Sequence, residues 1–344
     1  MTEVILSAVP DFGALGVRWR ALEERADLSF FQSWTWTGCM AEERFPDPIL
    51  AEVREAGETI GLALFNRCRR FGRNVLFLGE AGASAMDGLA IEHNGPVFVR
   101  GRPDVRGTIL RAAEARYDLV LSGLTEPYAG CVLKARRAPF ARPDPGWFDR
   151  RSANTRQQIR RSDRECARAG PLGIARAETE ATAHAWLDEM AAMHQATWNR
   201  RGEPGSFADP FFGRFHHALI ERGLARGEID LLRVTAGDDV VGILYNFRLR
   251  GRVSAYQSGF AYHPSDPRRK PGLTCHRTAI DAYAREGVSV YDFLAGEDRY
   301  KRSLADDAEA MRWLVAGPWW SPRLLALRAR TAIAGVRDNW VGKA

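Results

Sequence analysis

The sequence predicts an α/β protein built from two copies of one unit, each a mixed twisted sheet flanked by helices. Three observations carry this. Two hairpin patterns with like turns stand 180 residues apart. The Pro-rich stretch Ala138-Pro139-Phe140-Ala141-Arg142-Pro143-Asp144-Pro145-Gly146 marks a boundary between them. Beyond it, Val253 to Leu304 reads as strand, basic loop, helix and strand. The length of 344 residues suits two domains, and 45% hydrophobic residues suffice for a sizeable core, which excludes a disordered or fibrous chain. The expected division is 1–145, 146–316 and a tail, 317–344.

Taken in order, residues 27–40 are aromatic-rich, with Phe30, Phe31, Trp34 and Trp36. Ile49 to Val53 alternates as a strand, Glu55-Ala56-Gly57-Glu58 turns, and Ile60 to Asn66 and Val75 to Leu78 continue the sheet. In the second half Ile229 to Val234, the turn Ala236-Gly237-Asp238-Asp239, and Val240 to Phe247 repeat that hairpin. Ala56-Gly57-Glu58 falls on Ala236-Gly237-Asp238, and Leu64-Phe65-Asn66 on Leu244-Tyr245-Asn246, which points to duplication. Ser152 caps a basic helix. Glu178 to Arg200 and Pro210 to Arg226 have helical spacing, the second closed by Gly227. Val253 to Phe260 is a strand, Leu273 to Arg285 an amphipathic helix ended by Gly287, and Val288 to Leu294 a last strand.

Five scattered cysteines, none in a C-x-x-C pair, suggest a reducing compartment without a disulfide framework, and no metal site is expected. Met1 to Pro10 has Glu3 and no basic run, so no secretory signal is expected. No apolar run approaches the ~20 residues of a membrane-spanning helix. The net charge of +6 rests almost wholly on Arg. It is spread widely, so no nucleic-acid partner is expected from it. The four lysines are Lys134, Lys270, Lys301 and Lys343, and two of them fall in the segment that carries chemistry.

That segment holds Arg268-Arg269-Lys270-Pro271-Gly272-Leu273 at the start of a helix. Unpaired N–H groups, the helix dipole and flanking cations together suit a pyrophosphate. A polar loop before a helix without any phosphate is equally common.

The segment resembles the cofactor motif of the GNAT N-acetyltransferase superfamily, with Thr274 where that motif has a second small residue. The second half is similar to the CelD/BioF-like acyltransferases and, more distantly, to the FemABX peptidyltransferases, which carry two GNAT domains in tandem. The matching residues are Ser152-x-Asn154-x-Arg156, Met193-His194-x-x-x-Trp198, Pro271-Gly272-Leu273 and Tyr291-Asp292-Phe293-Leu294-x-Gly296-x-x-x-Tyr300-Lys301. Gly79-Glu80, Asp87 and Ile91-Glu92-His93-Asn94-Gly95 look like a segment of the bacterial ceramide synthase subgroup.

The resemblance implies two tandem GNAT-like domains and transfer of an acyl group from a CoA or acyl-carrier thioester to an amine, with a sphingoid long-chain base as the specific acceptor. Acyl-CoA would be a co-substrate, with no permanently bound cofactor. Arg268, Arg269, Lys270, Gly272 and Leu273 would bind the donor. Lys301 would stabilise the oxyanion and Tyr300 protonate the thiolate or pack under the loop. Asp292 would pair with Lys301 or accept the amine proton. Glu92 and Asp87 are base candidates, or polar turn residues. Trp198 and Tyr256 would line the acceptor pocket or the core, with Asp87 and Asn94 also assigned to the acceptor. His194 is a core histidine or a base. The row Arg156, Arg160 and Arg164 is a solvated face, or binds phosphates. The Trp-, Leu- and Arg-rich tail packs on its domain or lies on a membrane. The expected location is cytoplasmic, with peripheral contact at the inner membrane face. The alternatives are a FemX-like aminoacyl-tRNA-dependent transferase, a polysaccharide-linked acetyltransferase, and a degenerate GNAT scaffold at a membrane surface.

Overall fold

A computed structural model describes residues 2–70, 72–82, 89–262, 268–296, 298–318 and 321. The order is β1 (Thr2–Ala8), α1 (Phe12–Glu23), α2 (Trp34–Arg44), β2 (Pro48–Glu55), β3 (Glu58–Arg70), β4 (Arg73–Leu78), β5 (Val97–Phe98), α3 (Pro103–Glu114), β6 (Asp118–Leu124) and β7 (Cys131–Ala141). It continues with α4 (Ala153–Cys166), β8 (Leu172–Arg176), α5 (Glu180–Arg200), α6 (Pro210–Gly223), β9 (Ile229–Ala236), β10 (Asp239–Leu249), β11 (Arg252–Phe260), α7 (Pro271–Arg285), β12 (Val290–Asp292), α8 (Arg299–Leu304) and β13 (Asp307–Ala316).

The chain forms two compact units. One is Met1–Ala135 with the segment beginning at Met311, and the other is Arg136–Ala310. This corrects the boundary expected at 145. The Pro-rich stretch is built into the second unit, because Phe140 and Ala141 pair with Asp292 and Tyr291 of β12. The tail from 322 onward lies outside the described residues.

In the first unit the strands run β1-β2-β3-β4-β6-β13, with β5 also on β3. Apolar residues of β3, β4 and β6, such as Phe65, Leu76 and Leu119, bury against Val105 and Ile109 of α3. In the second unit the order is β7-β12-β11-β10-β9-β8. There Leu232, Leu244 and Val253 pack with Ile159 of α4 and Ile280 of α7. Ser152 caps α4 by accepting from the Thr155 N–H at 3.1 Å, as its sequence position implied. Pro271 opens α7 at its first position, where the missing N–H costs nothing, and Gly287 follows its end at φ 72°. β12 is shorter than the expected Val288 to Leu294, because Leu294 turns left-handed at φ 60° and leaves the strand.

The two hairpins are equivalent, but one residue further apart than the sequence alignment put them. Glu55 pairs with Glu58 and Ala236 with Asp239. Val53 pairs with Gly61 and Val234 with Gly242, and each hairpin skips one residue just before that glycine. Both glycines are required by close approach. A Cβ on Gly61 would stand 2.4 Å from Val105 Cγ1, and one on Gly242 would stand 2.6 Å from Phe260 Cδ1.

Candidate active site

The candidate site of the second unit lies where β11 and β12 part. Their parallel ladder spans Arg252↔Val290, Val253↔Tyr291 and Ser254↔Asp292 and goes no further, while β11 continues to Phe260. The start of α7 sits beside the end of β11, with Gly272 so close to Phe260 that a Cβ there would lie 3.2 Å from its ring.

Lys270 is the N-cap of α7, and its ammonium donates to the neutral Gln158 amide oxygen at 2.7 Å. Arg269 Nε is buried without a hydrogen-bond partner, and Arg268 is exposed. No acidic residue lies in the first turn. The charges here thus add to the helix dipole. Thr274 turns inward: it is fully buried, and its hydroxyl lies 2.9 Å from that of Ser162 on α4. Ser162 also accepts from the Lys270 N–H at 3.0 Å and donates to the Lys270 carbonyl at 2.9 Å. The departure at Thr274 therefore ties α4 to the start of α7.

Lys301 lies on α8 and donates to the carbonyls of Leu294, at 3.3 Å, and Ala295, at 3.1 Å. Asp292 is fully buried. One oxygen accepts from Arg252 at 2.6 Å and the other from the Leu294 N–H at 2.7 Å. Arg252 also reaches Glu309 at 2.7 Å. A carboxylate held this way is a structural anchor one step behind Lys301.

Tyr300 is 39% exposed, and its ring stacks on His276 at 5.5 Å and 16°. Desolvation, with the charge of Asp298 adding, holds its phenol above the ordinary range, so it stays protonated at neutral pH. His276 is buried between Tyr300, Phe293 and Phe260 and shares a 2.8 Å hydrogen bond with the Tyr291 hydroxyl. Burial, then the charge of Lys301, pushes its imidazole down to about 3, so it is neutral. Sequence reasoning passed over both His276 and Arg252. His276 had a signal: it falls on the apolar face of α7 with Leu273, Ile280 and Tyr283, where a polar residue is out of place.

Trp198 is half-buried, with Arg201 over its ring at 5.4 Å and His194 at 5.8 Å. His194 Nδ1 lies 3.3 Å from the Ser258 carbonyl of β11, and burial lowers its pKa. Tyr256 is packed in an aromatic cluster with Phe212, Phe247 and His216. Of the basic row on α4, Arg156 caps backbone carbonyls of Asp149 and Arg151, Arg160 covers Phe148, and Arg164 is exposed. In the first unit Glu92 is buried and Asn94 is engaged with backbone. Asp87 lies outside the described residues. Among the described residues no cluster of His, Cys, Asp or Glu is arranged to hold a metal ion, and no helix is long and apolar enough to cross a membrane.

Residues 153–302 match the family model described as acetyltransferase (GNAT) domain. The fold is thus that of two tandem GNAT-like domains, and the matched segment in the second unit is that of an acyltransferase. Among solved structures the chain is similar to FemX, at 10% identity and TM-score 0.58, covering 91% of this chain and 97% of that one. It is similar to L-PGS from Bacillus licheniformis, at 9% identity and TM-score 0.55, covering 93% and 96%. It also resembles the C-terminal domain of a putative lysylphosphatidylglycerol synthetase from Agrobacterium fabrum, at 10% identity and TM-score 0.54, covering 90% and 93%. No functionally curated protein matches it in sequence.

Proposed function

We propose that the second unit transfers an acyl group from a CoA or acyl-carrier thioester to an amine, and that the amine is a sphingoid long-chain base, giving a ceramide-type product. The observation that supports this is that Lys301 binds the carbonyls of Leu294 and Ala295, just past the end of the β11–β12 ladder, in the same unit as the α7 start that follows Arg268, Arg269 and Lys270. The helix start and its cations would hold the pyrophosphate of the donor, with Gly272 and Leu273 in the first turn. The thioester then lies along the gap. The amine nitrogen attacks the carbonyl carbon, and the Lys301 ammonium stabilises the oxyanion that forms. Collapse breaks the C–S bond, and the Tyr300 phenol gives its proton to the leaving thiolate. The proton lost by the acylated nitrogen restores the Tyr300 phenol, so over the cycle one proton passes from amine to sulfur. Trp198 would line the acceptor side. The proposed setting is the cytoplasm, at the inner membrane face where such a base resides.

The test is thiol release with a thiol-reactive dye, using purified protein, acyl-CoAs of several lengths and long-chain amines. Release that needs both substrates and gives the amide by mass spectrometry supports the reading. No release with any pair overturns it.

A second reading has support from fold likeness to FemX and to lysylphosphatidylglycerol synthetases, the latter named for an aminoacylated lipid product. Here an aminoacyl ester would replace the thioester at the same Lys301. Transfer from aminoacyl-tRNA, with no thiol release from acyl-CoA, would favour it.

A further inference from the structure

The register of the two hairpins lets the units be compared residue by residue. In the second unit β11 runs unbroken from Arg252 to Phe260. In the first, the matching strand is in two pieces. Phe65↔Leu78 corresponds to Asn246↔Ala255, and Gly61↔Phe98 to Gly242↔Phe260, so β4 matches the start of β11 and β5 its end. Residues 79–96 stand between β4 and β5 where the second unit has only Tyr256 to Ser258. The parallel ladders correspond too: Val75↔Asp118 to Phe77↔Val120 matches Arg252↔Val290 to Ser254↔Asp292. In both units the strands part after the third pair.

In the first unit that parting is filled by the chain itself. Asn94 makes a parallel bridge to Leu124, and its N–H donates to the Gly123 carbonyl at 3.1 Å. Its side-chain amide donates to the Leu78 carbonyl at 2.9 Å, so one residue joins the ends of β4 and β6. A Cβ on Gly123 would lie 2.5 Å from the Ile91 oxygen and 2.9 Å from Glu92 Cα, which leaves no room between them. Ile91, Glu92, His93 and Asn94 are all buried. Ser29 donates to the His93 carbonyl at 2.7 Å and pins the segment from behind. In the second unit the carbonyl matching that of Gly123 belongs to Ala295, and it accepts from Lys301 instead.

The helix starts tell the same story. Arg102-Pro103 opens α3 with N-cap angles of −118° and 60°, and Lys270-Pro271 opens α7 with −114° and 76°. At α3 the charge is used up locally: Arg102 binds Asp104 of the first turn at 2.9 Å and Glu55 at 2.8 Å. At α7 the first turn has no acid.

We propose that residues 91–95 permanently occupy the groove of the first unit in place of a ligand, so that the chain binds one thioester, in the second unit. This rests on the reading of the second unit as a thioester site. An anion at α3 would meet the Asp104 carboxylate, and a donor arm between β4 and β6 would have to take Asn94's hydrogen bonds.

Equilibrium dialysis of radiolabelled acetyl-CoA against the full chain tests it, with Lys270→Ala and Arg102→Ala alongside and folding checked by circular dichroism. The expected result is one equivalent per chain, weakened about tenfold or more by Lys270→Ala and unchanged by Arg102→Ala. Two equivalents would overturn the closure of the first unit and leave the thioester reading standing, as would weakening by Arg102→Ala alone. Zero equivalents would overturn CoA as the donor of the second unit, and the single-site inference with it.

Discussion

Lys301 donates its ammonium to the carbonyl of Leu294 at 3.3 Å, and Leu294 presents that carbonyl only because its backbone is left-handed, at φ 60°. A β-carbon makes this conformation costly by about 1–2 kcal/mol. Asp292 compensates by accepting the Leu294 N–H at 2.7 Å, and Arg252 holds Asp292 in turn at 2.6 Å. Asp292 and Arg252 thus act on Lys301 through the backbone. Asp292→Asn keeps one acceptor and leaves Arg252 with Glu309 as its carboxylate partner. The expected result is a fall in kcat of about tenfold, or about 1.4 kcal/mol, with KM for the thioester within about twofold. Steady-state thiol release on folded protein measures it. Equal losses in KM and kcat would place Asp292 in substrate binding instead.

Lys301 itself should act only in the transition state. Removing one oxyanion donor typically costs about 10²–10³ in kcat. Lys301→Met is expected to fall in that range while acetyl-CoA still binds. Lys301→Arg should rescue little, because a planar fork cannot reproduce two contacts with adjacent carbonyls on a compact charge. Full turnover by Lys301→Met would remove this residue from the mechanism.

Much of this was legible in the sequence because it depends on local signals. Ser152, Pro271 and Gly287 announce helix ends by their own chemistry. The alternation over Val253 to Phe260 announces a strand. Lys301 stood out because the chain otherwise uses Arg. What the sequence hid depends on long-range pairing. Asp292 finds Arg252 only when β11 lies beside β12, so this ion pair left no local signal in the sequence. The one-residue slip between the hairpins arises from bulges at Ile60 and Val241, which leave no mark in composition. The insertion 79–96 looked like motif residues alone, because its meaning depends on where β4 resumes as β5.

The Ser162–Thr274 pair should be a matter of stability and not of donor binding. Both hydroxyls are buried, 2.9 Å apart, with Ser162 also engaged by the Lys270 backbone. Thr274→Ala should cost about 1 kcal/mol in urea unfolding, with a similar coupling energy in the cycle with Ser162→Ala. The affinity for acetyl-CoA should stay within about twofold. A loss of affinity out of proportion to stability would return Thr274 to the donor loop.

His216 gives a prediction about pH. It is fully buried on α6 among Phe212, Tyr245 and Phe247, and neither ring nitrogen has a hydrogen-bond partner. Burial, with a smaller effect from His217, pushes its imidazole down to about 3. In the unfolded chain a histidine titrates near ~6.5. The sign follows: below about pH 6.5 the unfolded state takes up a proton that the folded state refuses. His216 therefore contributes stability at neutral pH that is lost on acidification, at about 1.4 kcal/mol per pH unit, until about pH 3. His276, also pushed down to about 3, adds an equal slope. His216→Phe forfeits no hydrogen bond and keeps an aromatic ring in the cluster, so at pH 7 its unfolding free energy should match the parent within about 1 kcal/mol or exceed it. Urea midpoints from pH 7 to pH 4 should then fall less steeply, by one proton's worth of slope. An unchanged slope would mean that His216 is protonated in the folded state, which the absence of any partner for either nitrogen argues against.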